Sequence, residues 1–283
     1  MDTNFDSRQL LVNGIPIHLV EVGDKSKQPI LFLHGYPENW KEFESVMNLL
    51  KDNYYLLAID LPGIGKSGYV EKFDKLSIAN FIKDFIQTLR LKNVVLAGHD
   101  VGGMITYASA KNFPELISKA VIMCTAIPGV EPWEEVKRNP YIWHFAFYAV
   151  PELPENLIRD KHQMLFDYFY DTISFNKSAI TAENRQAYVE SYNSEEALKT
   201  GLGWYRSFVQ DEKDNSLGNR VEIPVLYLKG LKDFGDVDAY IEGFKKSGLV
   251  NIRGQSVPNS GHFAPEENSQ FVAESIEQFV STK

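Results

Sequence analysis

The 283-residue chain carries 29 basic and 38 acidic residues for a net charge of −9, with 44% hydrophobic and 24% charged residues. These proportions exclude disorder and fibres, the acidic balance excludes nucleic acid as a partner, and a single cysteine, Cys124, excludes a disulfide framework. The N-terminus MDTNFDSRQLL has no basic segment leading into an apolar run, and no apolar stretch approaches ~18 residues, so neither a secretory signal nor a membrane span is expected; the expectation is a soluble protein of a reducing compartment, the cytoplasm.

In chain order, residues 9–12 and 15–22 flank Asn13-Gly14, a hairpin signal because both turn positions need positive φ. Residues 29–34, 54–60, 94–99 and 120–125 are runs of Val, Ile and Leu without clean alternation, as strands buried on both faces of a parallel sheet read. Between them, residues 77–91 place Ile78, Ile82, Phe85 and Leu89 on one helical face. Two late strands are predicted over 224–229 and 251–257, with a closing helix over 267–280. Alternating strands and helices predict a doubly wound α/β sheet.

Residues 130–216 break that rhythm. They read as helices punctuated by Pro132, Pro140, Pro151 and Pro154, and they hold 16 of the chain's 36 aromatics. With 15 acidic and 9 basic residues the block contributes −6 of the net charge. An aromatic-rich helical insertion between two strands predicts a lid over an apolar pocket. The domain reading is therefore a core of residues 1–129 and 217–283 with a lid of 130–216.

The strongest local signal is Gly98-His99-Asp100-Val101-Gly102-Gly103 after the 94–99 strand and before a helical run. It has the form small–x–nucleophile–x–small, a strained strand-to-helix turn that admits only small neighbours. The central side chain would stand above the carboxyl end of the sheet, beside a helix N-terminus that stabilises negative charge. Asp100 occupies that position. Taken alone, an aspartate there is more often a helix cap; the flanking glycines favour the turn.

Four motifs in order, His34-Gly35-Tyr36-Pro37, the loop from Asp60 to Gly68, the Gly98–Gly103 turn and Gly261-His262-Phe263, resemble α/β hydrolases of the epoxide hydrolase and haloalkane dehalogenase branch. The resemblance covers nearly the whole chain. It implies a mostly parallel eight-stranded sheet flanked by helices with an inserted helical lid, Asp100 as nucleophile, and His262 as general base. It implies Asp233 as the acid that orients His262, with Asp236 and Asp238 as substitutes. The backbone N–H groups of Tyr36 and Val101 would form the oxyanion hole. From the lid, Tyr205 in Gly203-Trp204-Tyr205-Arg206 would protonate the opened ring, with His144 in the place of a second tyrosine. No pair of histidines has metal-ligand spacing with a carboxylate or cysteine, so no metal and no cofactor is expected.

An aspartate nucleophile sets the reaction class. Attack on an sp³ carbon gives a stable alkyl ester that activated water then hydrolyses, so the expected partners are a small apolar electrophile and water. The leaving group separates two readings. An epoxide oxygen needs a proton, whereas a halide needs only N–H donors. Dehalogenases of this branch place Trp directly after the nucleophile, and here that residue is Val101. Fluoroacetate-type relatives have arginines at the first and fourth positions after it, here Val101 and Met104. The epoxide reading leads; haloalkane dehalogenase is the alternative, with a ligand-binding or interaction protein on a hydrolase scaffold behind it. Cys124 is expected as a small hydrophobe beneath the sheet's carboxyl edge. Composition leaves the oligomeric state open.

Overall fold

The computed structural model describes residues 5–216 and 220–282. Eight strands, β1 (Asp6–Val12), β2 (Ile15–Val22), β3 (Pro29–Leu33), β4 (Tyr55–Ile59), β5 (Val94–His99), β6 (Ile117–Met123), β7 (Val225–Gly230) and β8 (Ile252–Val257), form one sheet in the order β1-β2-β4-β3-β5-β6-β7-β8. β1 and β2 pair antiparallel, as do β2 and β4, and the remaining pairs are parallel. The hairpin turn is built as its sequence requires, with Asn13 at φ 52° and Gly14 at φ 81°.

Both faces of the parallel strands are covered, which explains their unbroken apolar runs. Ile30 and Phe32 of β3 share one buried cluster with Leu56, Val95 and Leu226, closed by α1 (Glu44–Leu50) and the C-terminal helix. Leu31 and Leu33 point the other way, into a cluster with Leu57, Leu96 and Ile122 under α2 (Lys75–Thr88) and α3 (Val101–Asn112).

Between β6 and β7 lie the helices α4 (Trp133–Arg138), α5 (Trp143–Ala149), α6 (Leu153–Ile158), α7 (His162–Ile173), α8 (Ala182–Ser191), α9 (Glu195–Arg206) and α10 (Phe208–Asn215), followed by a single bridge from Val221 to Leu249. The prolines fall where a missing N–H costs nothing: Pro132 caps α4, Pro140 opens a 3-10 turn, and Pro154 sits in the first turn of α6. The boundary expected between 216 and 217 borders residues 217–219, which lie outside the described residues. After β7 come α11 (Val237–Lys246), α12 (Ala264–Glu267) and α13 (Ser269–Ser281). Among the described residues no helix is long and apolar enough to cross a membrane.

Element ends shift by a few residues from the sequence reading. α2 starts at Lys75 rather than 77 because the Asp74 carboxylate accepts from the Ser77 N–H at 2.7 Å and caps it. Lys75 itself is buried against Asp211 of α10 at 2.8 Å. β6 starts at Ile117, three residues before the expected 120. Its Lys119 reaches past the sheet end to the carbonyls of Phe279 and Val280, at 2.9 and 3.0 Å, so a cation is tolerated in the strand. The closing helix expected over 267–280 is α13, which starts at Ser269 because the Asn268 side chain caps it, with the short α12 just before it.

Candidate active site

β3 lies between β4 and β5 in the sheet, so the chain leaving β3 turns one way while β5 lies on its other side. At such a switch point the loops after neighbouring strands diverge and leave a crevice at their carboxyl ends. Tyr36 follows β3 and Asp100 follows β5. The Tyr36 N–H donates to Asp100 Oδ2 at 3.1 Å across that crevice.

Asp100 has φ 46° and ψ −117°, a strained region for a residue with a side chain. The surrounding glycines allow it. A Cβ on Gly98 would lie 2.1 Å from the Gly102 carbonyl oxygen, and one on Gly102 would lie 2.0 Å from the Leu33 carbonyl oxygen. Val101 opens α3, so its N–H belongs to the first-turn donors that have no intrahelical acceptor.

Asp100, Asp233, His262, Tyr36, His144 and Tyr205 line one cavity of about 250 Å³ between the sheet edge and the helical insertion. Elements distant in the chain therefore bring six of the seven sequence-predicted residues to one place. Val101 contributes its backbone next to Asp100. Asp233, in the loop after β7, holds Oδ2 3.7 Å from His262 Nδ1 and 2.8 Å from Lys229 Nζ. Its burial alone would raise its pKa, but the Lys229 ammonium and His262 outweigh burial and hold the carboxyl well below the usual range. Asp236 and Asp238 are exposed; Asp236 spends its Oδ1 on the Asp238 N–H, capping α11.

His144 on α5 and Tyr205 on α9 stand with ring centroids 5.6 Å apart. Burial, aided by the nearby His262, pushes the His144 imidazole down to about 3, so its ring is uncharged at neutral pH. Burial and then the charge of Asp100 raise Tyr205 well above the ordinary phenol value, so it keeps its proton. Both groups are neutral donors. His34, by contrast, serves the backbone: its Nδ1–H donates to the Gly35 carbonyl at 2.7 Å and its Nε2 accepts from the Leu61 N–H at 2.9 Å.

Several neighbours escaped the sequence reading. Tyr148 of α5 meets Tyr36 hydroxyl to hydroxyl at 3.2 Å. Lys229, a cation closing an otherwise apolar strand four residues before Asp233, is a signal that could have been read. Behind the site, His99 Nδ1 lies 2.8 Å from Glu42 and 3.4 Å from Glu38, all wholly buried, and its Nε2–H donates to the His262 carbonyl at 2.8 Å. Nothing in residue spacing announces this cluster. Among the described residues it is the group of three side chains close enough together, within 4.8 Å, to hold a metal ion. Burial opposes charging His99, but Glu42 and Glu38 raise its pKa well above the ordinary value, so the protonated ring itself supplies positive charge there. Cys124 is a free, buried thiol.

The sequence profile described as alpha/beta hydrolase fold matches residues 28–269. The chain is 27% identical to the soluble epoxide hydrolase of Corynebacterium sp. (strain C12), over 99% of each chain. Its structure resembles that of the epoxide hydrolase CorEH, with a TM-score of 0.89 at 26% identity, covering 98% of this chain and 99% of that one. It also resembles the Cif epoxide hydrolase from Acinetobacter nosocomialis, with a TM-score of 0.84 at 26% identity over 99% and 90% of the two chains.

Proposed function

The chain belongs to the α/β hydrolase fold family and is a hydrolase, and from that premise we propose that it opens epoxides to vicinal diols, with residues 130–216 acting as a lid over the core. The observation that carries this reading is a carboxylate at a strained strand-to-helix turn sharing one cavity with two uncharged donors, Tyr205 and His144. The names of the relatives point the same way.

The Tyr36 N–H holds Oδ2 of Asp100, which leaves Oδ1 to attack an epoxide carbon. The C–O bond breaks, and the ring oxygen takes the Tyr205 proton while His144 donates a hydrogen bond. The product of this step is an alkyl ester of Asp100. His262, oriented by Asp233, removes a proton from water, and the hydroxide adds to the ester carbonyl. The N–H groups of Tyr36 and Val101 take the resulting negative charge. On collapse the bond between the ester carbon and the alkyl oxygen breaks, protonated His262 gives its proton to the departing alkoxide, and the carboxyl proton of Asp100 returns to the Tyr205 phenolate, which frees the diol and leaves Asp100 with one oxygen from water.

Hydrolysis of a carbon–halogen bond would need N–H donors around the anion. The tryptophan that lines the cavity, Trp143, directs its N–H to the Tyr168 hydroxyl at 3.4 Å, and the N–H of Trp133 goes to Glu212 at 2.6 Å. A pure binding role would have no use for Asp100, Asp233 and His262 gathered in one cavity. The test is an assay of purified protein on styrene oxide and 1-bromobutane, following diol and bromide separately. Diol without bromide is expected. Bromide without diol would convert the assignment to a dehalogenase. Absence of both, with no ester trapped on Asp100 in a His262→Gln variant, would sink the catalytic reading.

A further inference from the structure

Glu267 closes α12, five residues after His262. It is buried and does not line the cavity, so it cannot touch substrate. Its carboxylate nevertheless accepts four backbone N–H groups. Oε1 takes those of Gly261 and Phe263, at 3.0 and 3.1 Å, the two residues flanking His262. Oε2 takes those of Phe175 and Asn176, both at 2.7 Å, in the loop that follows α7 of the helical insertion. The His262 N–H donates in turn to the Ile173 carbonyl at 3.0 Å. Every lone-pair direction of this carboxylate is used to tie one core loop to one insertion loop, and hydrogen bonds to an ionised acceptor are about twice as strong as neutral ones.

We propose that Glu267 is a positioning residue that fixes the His262 loop against the insertion, so that the imidazole meets the ester only when the lid is seated. This rests on the reading of His262 as the base. The consequence is selective by step. Ester formation depends on Asp100, Tyr205 and His144, none of which Glu267 holds. Ester hydrolysis depends on where His262 stands, and a misplacement of about 1 Å costs about 10²-fold.

The test uses Glu267→Gln in the full chain. An amide has one acceptor oxygen, and its NH₂ would face two N–H donors, so one of the two clamped pairs must be released. Phe263 and Phe175 report on the two oxygens separately, and ¹⁵N-phenylalanine labelling lets amide exchange be followed at both. One of these amides is expected to lose its protection. In single-turnover reaction with styrene oxide, hydrolysis of the Asp100 ester is expected to slow by about 10²-fold with ester formation changed less than about threefold, so the ester accumulates. Glu267→Asp, whose carboxylate is one methylene too short to span both loops, provides a second variant with the same expected release should the first not fold. Unchanged protection at both amides, or equal slowing of the two steps, overturns the proposal. If the wild-type protein forms no ester at all, the functional reading fails, and amide exchange alone then decides whether the clamp exists.

Discussion

At the scale of single residues, Tyr205 and Asp233 sit in one cavity but belong to different halves of the proposed reaction. Tyr205→Phe removes the proton that the opening ring takes, so it is expected to slow formation of the Asp100 ester by about 10²–10³-fold while an ester already formed is hydrolysed at the wild-type rate. Asp233→Asn does the reverse. It leaves ring opening intact and removes the negative charge that stabilises protonated His262, a loss that reaches about 10⁴-fold in comparable histidine–carboxylate pairs. It also strands the Lys229 ammonium, which is 3% exposed, so the variant should lose roughly 3–5 kcal/mol of stability, the usual cost of breaking a buried pair. Single-turnover quenching separates the two chemical steps, and urea unfolding measures the stability. Asp236→Asn should leave both steps unchanged, because that carboxylate caps α11 at the surface. If Asp236→Asn slows hydrolysis and Asp233→Asn does not, the acid has been misassigned. These residues were legible in the sequence because each stands in a short motif with its own backbone demand. Glu267 and Glu42 were not, because their work is done across loops brought together only by folding.

At the scale of elements, the strand-to-helix turn at Asp100 shows why motif and fold could be read together. Its glycines are required by contact with named backbone atoms rather than by local propensity: Gly98 packs on the Gly102 carbonyl, and Gly102 on that of Leu33 in the neighbouring strand. Gly98→Ala therefore must push α3 away from β5. The expected cost is about 1–3 kcal/mol of overpacking, together with loss of the Asp100 geometry, so diol formation should fall further than stability alone predicts. A variant with wild-type melting temperature and activity would mean that the turn relaxes freely. Strand existence was legible from unbroken apolar runs, since burial on both faces removes alternation. Strand and helix ends were less so: Lys119 and Lys75 look like surface residues, yet one binds carbonyls at the sheet end and the other pairs with buried Asp211. The start of the closing helix likewise shifts by two residues, because Asn268 caps it at Ser269.

At the scale of the whole molecule, the buried ionisable groups set how stability depends on pH. Burial, reinforced by Glu42, raises Glu38 to about 8, whereas the unfolded chain releases that proton near the ordinary glutamate value of 4.5. Glu266, half-buried and facing Glu38, is raised as well. His99 is held above its ordinary 6.5 by Glu42 and Glu38 despite its burial. All three keep protons in the native state that the unfolded chain has lost, so each contributes stability that declines as pH rises toward its native pKa. Two groups act otherwise. His144, lowered to about 3 by burial, opposes the trend only below about 6.5, where the unfolded imidazole gains charge and the native one does not. Asp233, depressed by Lys229 against its burial, is ionised in both states at neutral pH and gives a constant term. Between pH 7 and pH 8 the raised groups are therefore unopposed by these two, and stability should fall by about 1.4 kcal/mol per pH unit for each proton the native state retains. Glu38→Gln supplies a neutral side chain of the same shape and should flatten that slope by about one proton's worth, read from urea midpoints at pH 6.5, 7.5 and 8.5. Parallel slopes for the two proteins would mean that Glu38 is already ionised in the native cluster beside His99.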